Sequence, residues 1–168
     1  MGRLRSWFGG PSLGERLGGF IYGTIVVLSV LVVGARAYPD DPLRILLLAA
    51  ITSMVFWIAH VYAHALSHSV TRGEKLSAGV VRRIALHESS VVEAAAFPCL
   101  GLLLGVIGVI SDTAAVWTAF ALGLVVLAVQ GFVFARVERL RWPGTLLVMS
   151  MNLSLGLLLV ALKVLLSH

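Results

Sequence analysis

The sequence predicts an all-α integral membrane protein, a bundle of five transmembrane helices. Three observations predict it. Apolar residues fill 59% of the 168 positions and charged residues only 12%, against roughly 45–50% and about 25% in an ordinary soluble domain. The charges cluster, leaving charge-free runs at 17–35, 45–71, 94–111, 113–135 and 142–162, each near the ~20 residues that cross a bilayer as helix. The basic residues also sort by side. Arg3, Arg5 and Arg16 precede span one; Arg72, Lys75, Arg82 and Arg83 separate spans two and three; Arg136, Arg139 and Arg141 separate spans four and five. Only Arg36, Arg44 and Lys163 lie on the other side. Basic loops stay cytoplasmic, so the amino terminus is expected inside and the carboxyl terminus outside.

Residues 1–16 read as a cytoplasmic or interfacial segment, with Trp7 and Phe8 at headgroup level. The rest, 17–168, reads as a single five-helix domain with spans at about 17–35, 45–68, 78–110, 113–135 and 144–166. Ala35-Arg36-Ala37 has the form of an A-x-A cleavage site, but the apolar stretch before it is longer than the roughly 7–15 residues of a signal core, so span one is expected to stay as an anchor. Tyr38-Pro39-Asp40-Asp41-Pro42 reads as the outer turn, because its prolines and aspartates oppose continued helix. Span three is too long for one crossing. As a helix over 78–110 it would measure ~50 Å, against a ~30 Å hydrocarbon core. Its first third is therefore expected to project into or lie along the cytoplasmic interface, and Pro98 is expected to kink the remainder.

The chain leaves no room for a separate soluble domain of ~100 residues, so any chemistry must lie in the bundle or its loops. The single cysteine, Cys99, excludes an intrachain disulfide and a cysteine-based zinc site. No glycine-rich phosphate loop, Ser–His–Asp arrangement or nucleotide fingerprint is present. The net charge of +5 belongs to topology and not to nucleic acid.

The informative stretch is Trp57-Ile58-Ala59-His60-Val61-Tyr62-Ala63-His64-Ala65-Leu66-Ser67-His68. Histidines at i, i+4 and i+8 share one helical stripe. The second stretch runs Arg82-Arg83-Ile84-Ala85-Leu86-His87-Glu88-Ser89-Ser90-Val91-Val92-Glu93. On a continuous helix Arg83, His87, Ser90 and Glu93 share roughly a third of the circumference, and Glu88 points elsewhere. His68 would lie near the cytoplasmic surface with His60 ~12 Å deeper, and Glu93 would lie ~9 Å deeper than His87. The expected site is therefore His60, His64, His68, His87 and Glu93, with Glu88, Ser90 and Arg83 secondary.

A carboxylate in hydrocarbon costs ~2.5–3.5 kcal/mol on insertion scales, so Glu93 should face the bundle and pair, protonate or line water. Imidazole exchanges protons near neutrality and binds divalent metals when neutral. One ion can use a His pair plus span-three ligands, but three histidines over ~12 Å cannot share it. Three readings follow. The first is a channel or transporter moving protons or divalent metal ions through a His/Glu-lined interior between spans two and three. The second is a structural or accessory subunit of a larger membrane complex. The third is a metal-dependent membrane enzyme, with zinc, iron or manganese as its metal. The lipid bilayer is the expected partner, together with further copies of the chain or other subunits, because five short helices enclose little interior. Gly19-x-x-x-Gly23 and Gly101-x-x-x-Gly105 allow close helix approach, more often within a chain than between chains. Gln130 in span four and Asn152, Ser150 and Ser154 in span five are expected to bond between helices.

Phe56-Trp57-Ile58-Ala59-His60-Val61-Tyr62-Ala63-His64, Val91-Val92-Glu93-Ala94-Ala95 and Ala135-Arg136-Val137-Glu138-Arg139-Leu140 carry a resemblance to small, functionally unassigned polytopic membrane proteins of actinobacterial type. It covers most of the chain after Gly18. The resemblance implies a bacterial cytoplasmic (inner) membrane and brings no activity, substrate or catalytic residue with it. The spaced His-x-x-x-His pairs also resemble membrane desaturases and hydroxylases, but the adjacent-histidine boxes of those enzymes are missing here.

Overall fold

The computed structural model describes residues 13–72 and 76–166; the segment carrying Trp7 and Phe8 lies outside them. Every regular element among the described residues is a helix: α1 (Leu13–Ala37), α2 (Pro42–Arg72), α3 (Ala78–His87), α4 (Ser90–Glu93), α5 (Ala96–Val106), α6 (Asp112–Val137) and α7 (Trp142–Leu166). Four of them, α1, α2, α6 and α7, are long and apolar enough to cross a membrane, and the bent series α3–α5 makes a fifth candidate. The chain is an all-helical multi-pass membrane protein.

Helix α1 is the hub, packed against α2, α4, α6 and α7, while α5 lies between α2 and α6. Its Val27, Leu28 and Leu31 are fully buried beside Ile45 of α2, Leu102 of α5, and Phe120 and Leu127 of α6. Lipid tails are as apolar as leucine, so burial alone does not hold such helices together, and close packing has to. Small residues provide it. A Cβ on Gly23 would meet the Val91 carbonyl of α4 at 2.7 Å, and one on Gly101 would meet the Ala119 backbone nitrogen of α6 at 2.7 Å. Gly19 faces Ser90, and Gly105 faces Ala115 and Pro42. Both glycine pairs are thus occupied within the chain.

The helix ends follow local chemistry. Asp41 accepts from the Arg44 backbone N–H at 3.0 Å, directly before Pro42 in the first helical position of α2. The same carboxylate holds the Arg44 side chain at 3.0 Å. Ser77 and Ser111 cap α3 and α6 in the same way. Helix α5 closes with Gly108 at φ 75°, its N–H bonded to Gly105 and that of Val109 to Leu104, the paired bonds of a Schellman end. Helix α6 closes with the same pair of bonds, from Arg139 to Arg136 and from Leu140 to Ala135, but there the left-handed residue is Arg139 at φ 53°.

The third span departs from the continuous helix over 78–110 that its composition suggests. It is interrupted at Glu88–Ser89 and at Ala94–Ala95, ends as helix at Val106, and bends by 52° between Ala78–Glu93 and Ala96–Val106. Pro98 stands in the first turn of α5, where a missing N–H costs nothing. It offers no donor to the Ala94 carbonyl one turn back, so the helix breaks there instead of kinking further on. At the first break Ser89 turns its hydroxyl to the Leu86 carbonyl at 3.0 Å, the local competition with helix bonds that serine favours.

Span five also differs from expectation. Ser150 and Ser154 donate to carbonyls of their own helix, Leu147 and Met151, as serines inside helices do. The buried Gln130 Oε1 and Asn152 Nδ2 have no partner among the described residues.

Two outcomes test this packing. Gly101→Ala should lower stability in detergent by about 1–3 kcal/mol through overpacking against α6, whereas Gly79→Ala, with only the Ser77 hydroxyl 3.9 Å away, should hold or raise it by up to about 1 kcal/mol. Arg139→Gly should raise the unfolding free energy by about 1 kcal/mol by relieving the left-handed backbone. Equilibrium unfolding in micelles, followed by circular dichroism, reads both.

Candidate functional site

The site lies at the end of the bundle where α1 begins and α2 gives way to α3. Helix α2 has 31 residues and spans ~46 Å, so its last turns outrun a ~30 Å core. Helix α3 packs back along it. Val80, Val81, Ile84 and Ala85 are half-buried, while Arg82, Arg83 and Leu86 face outward. Trp57 fixes the register of this pair, its indole N–H donating to the Ala85 carbonyl at 3.0 Å.

That register brings Glu88 to the histidine stripe. Glu88 is the residue that ends α3, and it is only 7% exposed. Its Oε1 lies 2.7 Å from His64 Nδ1 and 3.9 Å from His87 Nε2. The His64 side chain is 54% exposed. A buried carboxylate needs donors to offset its lost hydration, and His64 supplies a short one. Glu88, which a continuous-helix wheel turns away from the stripe, is therefore the acid that meets it.

The other expected residues are spread around this contact. Glu93 is half exposed and engaged elsewhere, with Oε2 3.4 Å from Arg16 Nη2 and Oε1 2.8 Å from the Ser89 hydroxyl, whose single proton it shares with the Leu86 carbonyl. Ser90 is buried under Gly19, and it seats α1 on α4. His60 lies one turn deeper than His64. Its Nδ1–H donates to the Phe56 carbonyl at 2.9 Å, and its ring lies 5.4 Å from that of Tyr22. His68 is half-buried one turn beyond His64, and Arg83 is exposed on α3. The five expected residues thus do not form one cluster. His64 and His87 converge on Glu88, while His60 and Glu93 have partners of their own.

Three participants were not singled out by spacing: Trp57, Arg16 and Ser89. The Ser89-Ser90 pair after His87-Glu88 was the available signal, because serines next to a helix end favour side-chain-to-backbone bonds that stop it. Among the described residues no three His, Cys, Asp or Glu side chains gather in a group that could hold a metal ion.

Fold and site together define a multi-pass helical membrane protein with a histidine–carboxylate contact near one end of the bundle. Compared with known proteins, the chain matches no family model, no curated protein and no solved structure.

His64→Ala should leave Glu88 buried without its short donor. The expected cost is about 1–3 kcal/mol, seen as faster amide hydrogen exchange over residues 78–88. Glu93→Gln, at an exposed pair, should change stability by less than about 1 kcal/mol. The reverse order would show that Glu93, and not Glu88, fastens this end.

Proposed function

We propose that the chain crosses a bacterial cytoplasmic membrane five times, amino terminus inside and carboxyl terminus outside, and moves protons by way of His64 and Glu88. The four long apolar helices, with α3–α5 taken as the third crossing, support the count. Ten of the thirteen Lys and Arg fall in the segments that this arrangement leaves inside, which supports the orientation. Helix α3, with two outward arginines and an apolar inner face, then lies at the cytoplasmic headgroups.

One observation carries the functional reading: a buried carboxylate lies 2.7 Å from an imidazole that is half exposed. Imidazole takes a proton at one ring nitrogen and releases one from the other. Protonation of His64 at Nε2 by cytoplasmic water allows its Nδ1 proton to pass to Glu88 across a single hydrogen bond. His87 Nε2 stands 3.9 Å from the same oxygen, beyond direct hydrogen-bond reach. The transfer needs only the two groups that are in contact. A zinc, iron or manganese ion would need a further ligand brought to the same point, so the proposal takes protons as the cargo.

A second reading, as a subunit of a larger membrane assembly, is favoured by the opposite half of the bundle. There the interior is apolar packing: Leu28, Leu31, Ile45, Leu102 and Phe120 are all fully buried. A route onward from Glu88 would have to run along a face shared with another copy or another protein. Helix α2 turns Leu47, Ile51, Met54, Val55 and Ile58 outward, which fits such a face.

Reconstitution in liposomes with an internal pH dye tests the proposal. The unaltered protein should dissipate an imposed pH gradient. Glu88→Gln should slow the flux by about a hundredfold, within the range for loss of a positioned proton-transfer group, and Glu93→Gln should leave it largely intact. Equal flux in the unaltered protein and Glu88→Gln rejects the relay. No flux from the unaltered protein, with stable co-purification of another membrane protein, supports the second reading.

A further inference from the structure

An open groove of about 280 Å³ runs between α2 and the start of α3, lined by Trp57, Ile58, Val61, Tyr62, Leu76 and Val81 among others. Its α2 wall extends from Trp57 to Ala65, ~12 Å along the helix. The lining is almost wholly apolar, and Ile58, Tyr62 and Leu76 stand exposed in it. Proton transfer at His64 makes no use of it.

Among the described residues, the charged side chains next in sequence to the groove's α3 wall are basic. Arg82 follows groove-lining Val81 in sequence and precedes Ala85, the anchor of Trp57, by one turn; Arg83 comes next, and both side chains are exposed. His68, one turn beyond Ala65 on α2, continues the groove's own face. Among the described residues, the carboxylates of this corner are engaged: Glu88 with His64, and Glu93 with Arg16 and Ser89. An apolar slot whose α3 wall, at Val81, is followed directly by two exposed arginines matches the two parts of a phospholipid with a negatively charged headgroup. Trp57 and Tyr62 are the side chains that favour the membrane–water boundary, and cytoplasmic leaflets carry the anionic lipids that basic juxtamembrane positions attract.

We infer that the α2–α3 corner is a binding site for an anionic phospholipid, one acyl chain lying in the groove between Trp57 and Leu76 and the headgroup phosphate held by Arg82 and Arg83. The inference uses the membrane placement proposed above and is independent of proton movement. A bound chain would brace the start of α3, supporting the helix that carries His87 and ends at Glu88.

Trp57 is a built-in reporter. In a full-length variant with Trp7→Phe, Trp117→Phe and Trp142→Phe, Trp57 is the sole indole, and lipids brominated on the acyl chain quench it on contact. The protein is reconstituted in mixed vesicles of phosphatidylglycerol and phosphatidylcholine, with one or the other lipid brominated. Brominated phosphatidylglycerol should quench in excess of its mole fraction, with a relative affinity over phosphatidylcholine of about fivefold per arginine. Arg82→Ala with Arg83→Ala should bring the two lipids to parity. The unaltered chain gives a second measure that needs no tryptophan replacement: after detergent extraction, native mass spectrometry should find retained phosphatidylglycerol, lost in the double arginine variant. Equal quenching by the two lipids with both arginines present overturns the inference, as does a preference that survives their removal. Quenching by neither lipid also overturns it and gives the groove to a protein occupant. None of these readings involves proton flux, so this site and the relay can fail separately.

Discussion

A carboxylate can be buried at the end of an apolar bundle only where a donor or a charge comes within hydrogen-bond reach. Glu88 meets this condition through His64 at 2.7 Å, and much of the architecture at this end can be traced to that contact. To reach it, α3 must lie back along α2, and Trp57 pins it there through the Ala85 carbonyl. To lie back along α2, the third span must change direction before it enters the bundle, and it does so by 52°. Pro98 makes the change inexpensive, because it denies the Ala94 carbonyl its helical donor.

The same bend sets how α1 is held. The short α4 and the Ala94 that follows it present Ser90, Val91 and Ala94 to Gly19 and Gly23, close enough that a single methyl on Gly23 would strike the Val91 carbonyl. Farther along, Gly101 and Gly105 of α5 lie against Ala119 and Ala115 of α6. The two seams use small residues for one reason: in lipid, helices gain from contact only where their backbones come near. The outcome is a bundle that is polar at one end and closely packed elsewhere, with an interior that is mostly apolar and has Thr24, Ser53 and Gln130 as buried polar exceptions.

Division of labour follows from this arrangement. His64 and Glu88, with His87 nearby, form the proposed proton-exchanging part, and α3 carries His87 and is capped by Glu88. The outer face of α3 bears the arginines, and its start borders the apolar groove. Proton chemistry and lipid contact are therefore proposed at opposite ends of one ten-residue helix, which gives the membrane a physical means of bearing on the site.

Composition and charge spacing were enough to read the helical class and the apolar spans, expected as five and found as four long helices with a bent fifth candidate, because hydrophobic length and clustered charge are local properties of a chain. The glycine pairs and the polar character of the α2–α3 region were legible for the same reason. Which acid meets the histidines was not. That depended on a break at Glu88–Ser89, where a serine exchanged a helix bond for a local one, and on a register set by Trp57 across 28 positions. A helical wheel assumes a continuous axis, so it assigned the inward role to Glu93, which instead pairs with Arg16 across 77 positions. Nearest-neighbour patterns determine what a segment is. Which segments touch is decided by three-dimensional packing, since contacts between distant positions depend on the bends and close approaches between them.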